Sequence, residues 1–98
     1  MGVLYLIMTY DFILKAQHDK EFMQEIHNAI SSGLDSEICT DIHRLRFYGE
    51  KKAVIVEPYS ENSDFNWKII PKEITYPAVL KMLEGDWDSI GSDNIRDI

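Results

Sequence analysis

Apolar positions along this chain change their spacing several times, and each change marks an expected element. Residues 3–8 (VLYLIM) are apolar without interruption, which predicts a strand buried on both faces. Further on, Phe22, Met23, Ile26, Ala29 and Ile30 recur at helical spacing, while Lys20, Glu21, Gln24 and Asn28 take the other side. The helix has an acceptor in His18 or Asp19 at its start and Gly33 as the residue that ends it. Its N-terminal limit lies anywhere back to Asp11.

Residues 41–58 (DIHRLRFYGEKKAVIVEP) alternate twice around a polar centre and predict a β-hairpin. A four-residue loop from Gly49 to Lys52 sets Phe47 opposite Val54 and Leu45 opposite Val56 on one face. Arg46 then faces Ile55, and Arg44 faces Glu57, on the other. A two-residue Gly49-Glu50 turn would place Phe47 against Lys52, a poorer pair. A three-residue loop pairs Leu45 with Ile55 and Phe47 with Ala53; the four-residue loop is preferred.

After Pro58 and a polar loop, Phe65, Trp67 and Ile69 alternate with Asn66, Lys68 and Ile70, which predicts a third antiparallel strand stopped by Pro71. Residues 75–85 (TYPAVLKMLEG) read as a short helix. Thr75 or Tyr76 stands at the cap, Pro77 lies in the first turn and Gly85 follows the end, with Val79, Leu80, Met82 and Leu83 as the buried stripe. The expected fold is α+β in the order β-α-β-β-β-α. A three-stranded antiparallel meander, with an N-terminal strand, packs on two helices. Residues 1–90 form one domain and residues 91–98 an acidic C-terminal tail.

Composition supports a globular domain, since 45% of the 98 residues are hydrophobic and 28% are charged. The formal net charge of −7 disfavours nucleic acid, whose non-specific affinity comes from cations neutralising phosphates. The apolar start is shorter than the roughly 20 residues of a membrane span and lacks the basic stretch of a signal peptide; Met8 is an alternative start. Cys39 is the single cysteine, so no intramolecular disulfide forms and a reducing cytoplasm is the expected compartment.

Catalytic patterns are weak. Asp41 with Glu50 and Lys52 has the residue types of a metal-assisted phosphodiesterase, but Glu50 and Lys52 fall in a turn. Cys39 and His43, read as one strand, would stand about 13 Å apart, beyond proton transfer. His18, His27 and His43 lie on different elements and offer no metal spacing. No phosphate-binding glycine loop or nucleophile triad is present, so neither enzyme chemistry nor a cofactor is expected.

Charge, by contrast, is segregated. Residues 44–52 carry Arg44, Arg46, Lys51 and Lys52 against Glu50, a net of +3, so the remainder of the chain sums to −10. Residues 84–98 hold five carboxylates and one arginine, and Trp87 stands between Asp86 and Asp88. Trp87 either folds back with Ile90 onto the domain or serves as an aromatic anchor in an acidic ring.

The expected function is that of a small regulatory or inhibitory protein, of the phage anti-defence or toxin-immunity kind, acting on the basic surface of a partner protein. Its contact residues would be Glu84, Asp86, Trp87 and Asp88, with Glu57, Glu61 and Asp64 as a second acidic patch. The alternative is a nucleic-acid-binding module using Arg44, Arg46, Tyr48, Lys51 and Lys52. An open strand edge at residues 3–10 would favour a homodimer.

Overall fold

The computed structural model describes residues 10–59 and 71–98, and over these the fold is α+β. Helix α1 spans Asp11–His18 and α2 Lys20–Ser32. Strands β1 (Ser36–Cys39), β2 (His43–Tyr48), β3 (Ala53–Pro58) and β4 (Lys72–Thr75) follow, then helix α3 (Tyr76–Glu84). Two short 3-10 turns, Trp87–Ser89 and Ser92–Asn94, lead into β5 (Ile95–Asp97). Among the described residues the strands form one antiparallel sheet in the order β1-β2-β3-β4-β5.

The central hairpin has the expected register: Phe47 faces Val54, Leu45 faces Val56, Arg46 faces Ile55 and Arg44 faces Glu57. Lys52 closes the four-residue loop in the left-handed region, φ 53°. Leu45, Phe47, Val54 and Val56 are all buried, whereas Arg46 on the opposite face is exposed. With Ile74 of β4 they form the floor on which the helices pack. Above them lie Phe12 and Ile13 of α1, Phe22 and Ile26 of α2, and Val79 and Met82 of α3.

The expected first helix is two helices. Asp19 leaves helical geometry (φ −134°, ψ 105°), and its carboxylate accepts from the N–H groups of Glu21 (3.0 Å) and Phe22 (3.2 Å). Satisfying those two otherwise orphaned donors starts a new helix at Lys20. Gly33 ends α2 at φ 72°, and Gly85 ends α3 at φ 82°, as glycine after a helix allows.

The sheet departs from the expected meander. The strands expected at residues 3–8 and 64–70 lie outside the described residues. The structure adds β1, β4 and β5, which the apolar pattern does not announce. β4 begins just after Pro71, which had been read as a stop, and has one buried side chain, Ile74. In β1 and β5, Ile38 and Ile95 are the residues packed against the core. The acidic tail therefore ends in a strand paired with β4, the last of the sheet among the described residues, and Thr75 Oγ1 and Asn94 Oδ1 lie 2.9 Å apart beside it.

Candidate interaction site

The segment after α3 is shaped by backbone hydrogen bonds before any side chain acts. Gly85 N–H donates to Met82 O at 3.0 Å and Asp86 N–H to Lys81 O at 2.8 Å, which satisfies the last helical carbonyls and turns the chain sharply. The following 3-10 turn is closed by Ile90 N–H to Trp87 O at 3.3 Å. Ser89 Oγ donates to Asp86 Oδ1 at 2.9 Å, and Lys81 pairs with the same carboxylate at 3.8 Å. Asp86 is thus used locally to hold the turn.

Trp87 combines both expected fates. Its ring packs edge-on against Tyr10, centroids 5.6 Å apart at 74°, yet it remains 45% exposed. Tyr10 stands at the start of α1, and Leu14 follows one helical turn later on the same side with 46% exposure. Gln17, a further turn along, reaches the carbonyls of Met82 and Leu83 with its side-chain amide. The α1 face carrying Tyr10 and Leu14 therefore lies beside the end of α3. Tyr10 and Trp87 make a small aromatic contact, with Asp88 next to Trp87 in the chain and Glu84 at the end of α3. Among the described residues, Glu84 and Asp88 form no ion pair. Sequence reading missed Tyr10, because its place beside Trp87 depends on how α1 packs.

The second acidic patch is not assembled with the first. Glu57 lies on the open face of the sheet, where its carboxylate meets Arg46 at 3.4 Å and Arg44 at 3.8 Å. Glu61 and Asp64 lie outside the described residues.

The same open face holds the basic residues. Arg44 and Arg46 alternate with Tyr48 along β2, and the Tyr48 ring is approached to 5.6 Å by both Arg46 and Lys51. Among the described residues each of these cations except Lys52 meets a carboxylate: Arg44 meets Glu37 at 3.9 Å as well as Glu57, and Lys51 meets Glu73 at 3.8 Å. Arg96 of β5 donates to Glu73 through Nε at 3.1 Å. The face is an alternating ionic lattice rather than a positive field, which leaves little unmatched charge for phosphates.

Glu73 gives this lattice a pH dependence. The hydrogen bond from Arg96 is the main cause holding its carboxyl below the ordinary value of 4.5, with the charges of Arg96 and Lys51 adding to it. A depressed folded-state value stabilises the fold above the unfolded value and loses that contribution as pH falls through the folded one. Glu73→Gln is therefore expected to be less stable than the native chain at neutral pH. The gap should close on acidification below about pH 4.5 in denaturant titrations, and a gap that widened instead would contradict the assignment.

The catalytic combinations do not come together. Asp41 lies in the β1–β2 turn, while Glu50 and Lys52 lie in the β2–β3 turn, at the far end of a six-residue strand and so about 20 Å away. Cys39 and His43 are on different strands, a correction to their reading as one. Cys39 is exposed opposite Arg44 on the open face, whereas His43 is buried under α1 with its ring 5.8 Å from that of Phe12. Desolvation, and then its hydrogen bond to Glu37 at 3.3 Å, push the Cys39 thiol up, away from thiolate chemistry.

A cleft of about 200 Å³ opens beside His43, lined also by Asp11, Lys15, Thr40 and Asp41. Thr40 Oγ1 accepts from the N–H groups of Ile42 (3.3 Å) and His43 (2.8 Å), which fixes its floor. Among the described residues no group of three His, Cys, Asp or Glu side chains is arranged to hold a metal, and no helix is long and apolar enough to cross a membrane. No family model, curated protein or solved structure matches this chain.

Proposed function

We propose that this protein is a small regulatory or inhibitory binder that docks on the basic surface of a partner protein through Trp87. The observation that carries this reading is a half-exposed tryptophan braced by Tyr10, with exposed Leu14 one helical turn along α1 and the acidic residues Glu84 and Asp88 within three positions of it in the chain. Aromatic anchors in an apolar centre supply most binding energy, and a like-charged rim steers an oppositely charged partner. Asp86 contributes by holding the turn. Nucleic-acid binding through Arg44, Arg46, Tyr48, Lys51 and Lys52 is the weaker reading, because Glu37, Glu57 and Glu73 already engage Arg44, Arg46 and Lys51.

The test uses Trp87→Ala and the pair Glu84→Gln with Asp88→Asn, with tagged full-length chain as bait in lysate of the source cells and the captured protein then titrated directly. Trp87→Ala is expected to weaken affinity by about 30-fold or more, as loss of a hot-spot aromatic does. The double charge variant should chiefly slow association and flatten its salt dependence. A partner held within twofold by Trp87→Ala would overturn the site.

A further inference from the structure

Trp87 keeps 45% of its surface in water although its ring already has a partner in Tyr10, with the planes at 74° and the centroids 5.6 Å apart. An edge-to-face pair covers part of each ring and leaves the remaining π surface free, and an indole face is the strongest aromatic site for a cation. Elsewhere the chain fills such positions itself: Lys15 stands over Phe22 at 5.1 Å, and Arg46 and Lys51 each approach Tyr48 to 5.6 Å. Among the described residues no cation stands over Trp87 or Tyr10. Lys81, the nearest basic residue in the chain, is committed to the Asp86 carboxylate.

We infer that the open indole surface of Trp87 takes the guanidinium of an arginine side chain on the partner protein. This rests on the docking reading above and names the chemistry of the group that docks. Asp88 is the next residue in the same 3-10 turn and carries a carboxylate with no ion pair among the described residues. Its Cα lies about 3.8 Å from that of Trp87, a step shorter than an extended arginine side chain. Glu84, three positions earlier at the end of α3, adds to the negative field.

A guanidinium suits this setting better than an ammonium. It is planar and weakly hydrated, so it can lie flat on an indole while its N–H edge stays free for a carboxylate. A lysine ammonium must shed strongly held water to reach the same ring. A methylated ammonium is held by a cage of several rings, whereas the described residues supply two. Nor does a described cation repel the ligand at Tyr10. Burial is the main cause raising the Tyr10 phenol above its ordinary value, so this ring stays neutral. Lys72 and Asp97 act on it in opposite senses and pair with each other.

The test titrates the full-length chain with two probes of equal charge, hexa-arginine and hexalysine, so that general attraction to an acidic protein is common to both. By calorimetry the native chain should bind hexa-arginine about fivefold more tightly than hexalysine. Trp87→Leu keeps apolar bulk without a π face and should bring the two peptides within about twofold, while Trp87→Phe should recover part of the preference. The indole N–H signal of Trp87, identified by its absence from the Trp87→Leu spectrum, should shift with hexa-arginine. The inference is overturned by equal affinities in the native chain, by failure of both peptides to bind, or by an arginine preference that Trp87→Leu leaves intact. It also fails separately from the docking reading. A captured partner that needs Trp87 but binds as well with lysine in place of each contact arginine would leave docking standing and remove the guanidinium.

Discussion

Phe47→Ala is expected to lower unfolding free energy by about 3–5 kcal/mol, a large part of the roughly 5–15 kcal/mol that holds a domain of this size together. Phe47 is 2% exposed, stands opposite Val54 on the core face of the hairpin, and meets the Tyr76 ring at 6.2 Å. Its loss removes buried apolar surface and leaves a cavity between β2 and the start of α3, an arrangement too tightly paired to collapse inward. Arg46→Ala, one residue earlier and on the open face, should cost about 1 kcal/mol or less, because an exposed ion pair is worth little. Urea denaturation of both variants measures the contrast. A one-residue slip would move every side chain to the other face, so costs in the reverse order would disprove the register.

That register was readable because β2 and β3 alternate over six residues each, and one loop length alone pairs Phe47 with Val54 and Leu45 with Val56. Helix α3 was equally legible, from Pro77 in the first turn and Gly85 after the last. The short strands were not. β1, β4 and β5 each direct one isoleucine inward (Ile38, Ile74 and Ile95), and a single apolar residue among polar ones has no period to detect. They are strands because neighbouring backbones offer unpaired N–H and C=O groups, a cause that composition does not record.

The candidate site divides in the same way. The aspartates around Trp87 are contiguous in sequence and were seen at once. Tyr10 was missed because Asp19 breaks the helix and lets α1 turn toward α3. Glu57 was placed in a second acidic patch, although the hairpin register already set Arg44 opposite it. The structure adds Arg46 to the same carboxylate, so its charge is used within the sheet.

The hairpin tip carries the other large expected effect. Gly49 packs against the end of α2 so closely that a Cβ there would lie 2.0 Å from the Gly33 carbonyl oxygen and 2.6 Å from its carbon. Both neighbours are backbone, held by the left-handed turn at Gly33, so neither can move aside as a side-chain tip would. The approach is locked from the other side by Gly49 N–H, which donates to Asp35 Oδ1 at 2.9 Å. Gly49→Ala must therefore push the turn off α2 and break that hydrogen bond, at an expected cost of about 2–4 kcal/mol. Gly33→Ala is the matched control: its Cβ meets nothing within 4 Å, and only the positive φ is strained, for about 1 kcal/mol. Thermal and urea unfolding should rank Gly49→Ala well below Gly33→Ala in stability. Equal costs would mean that backbone conformation alone matters at both glycines, and the docking of the hairpin on α2 would have to be abandoned.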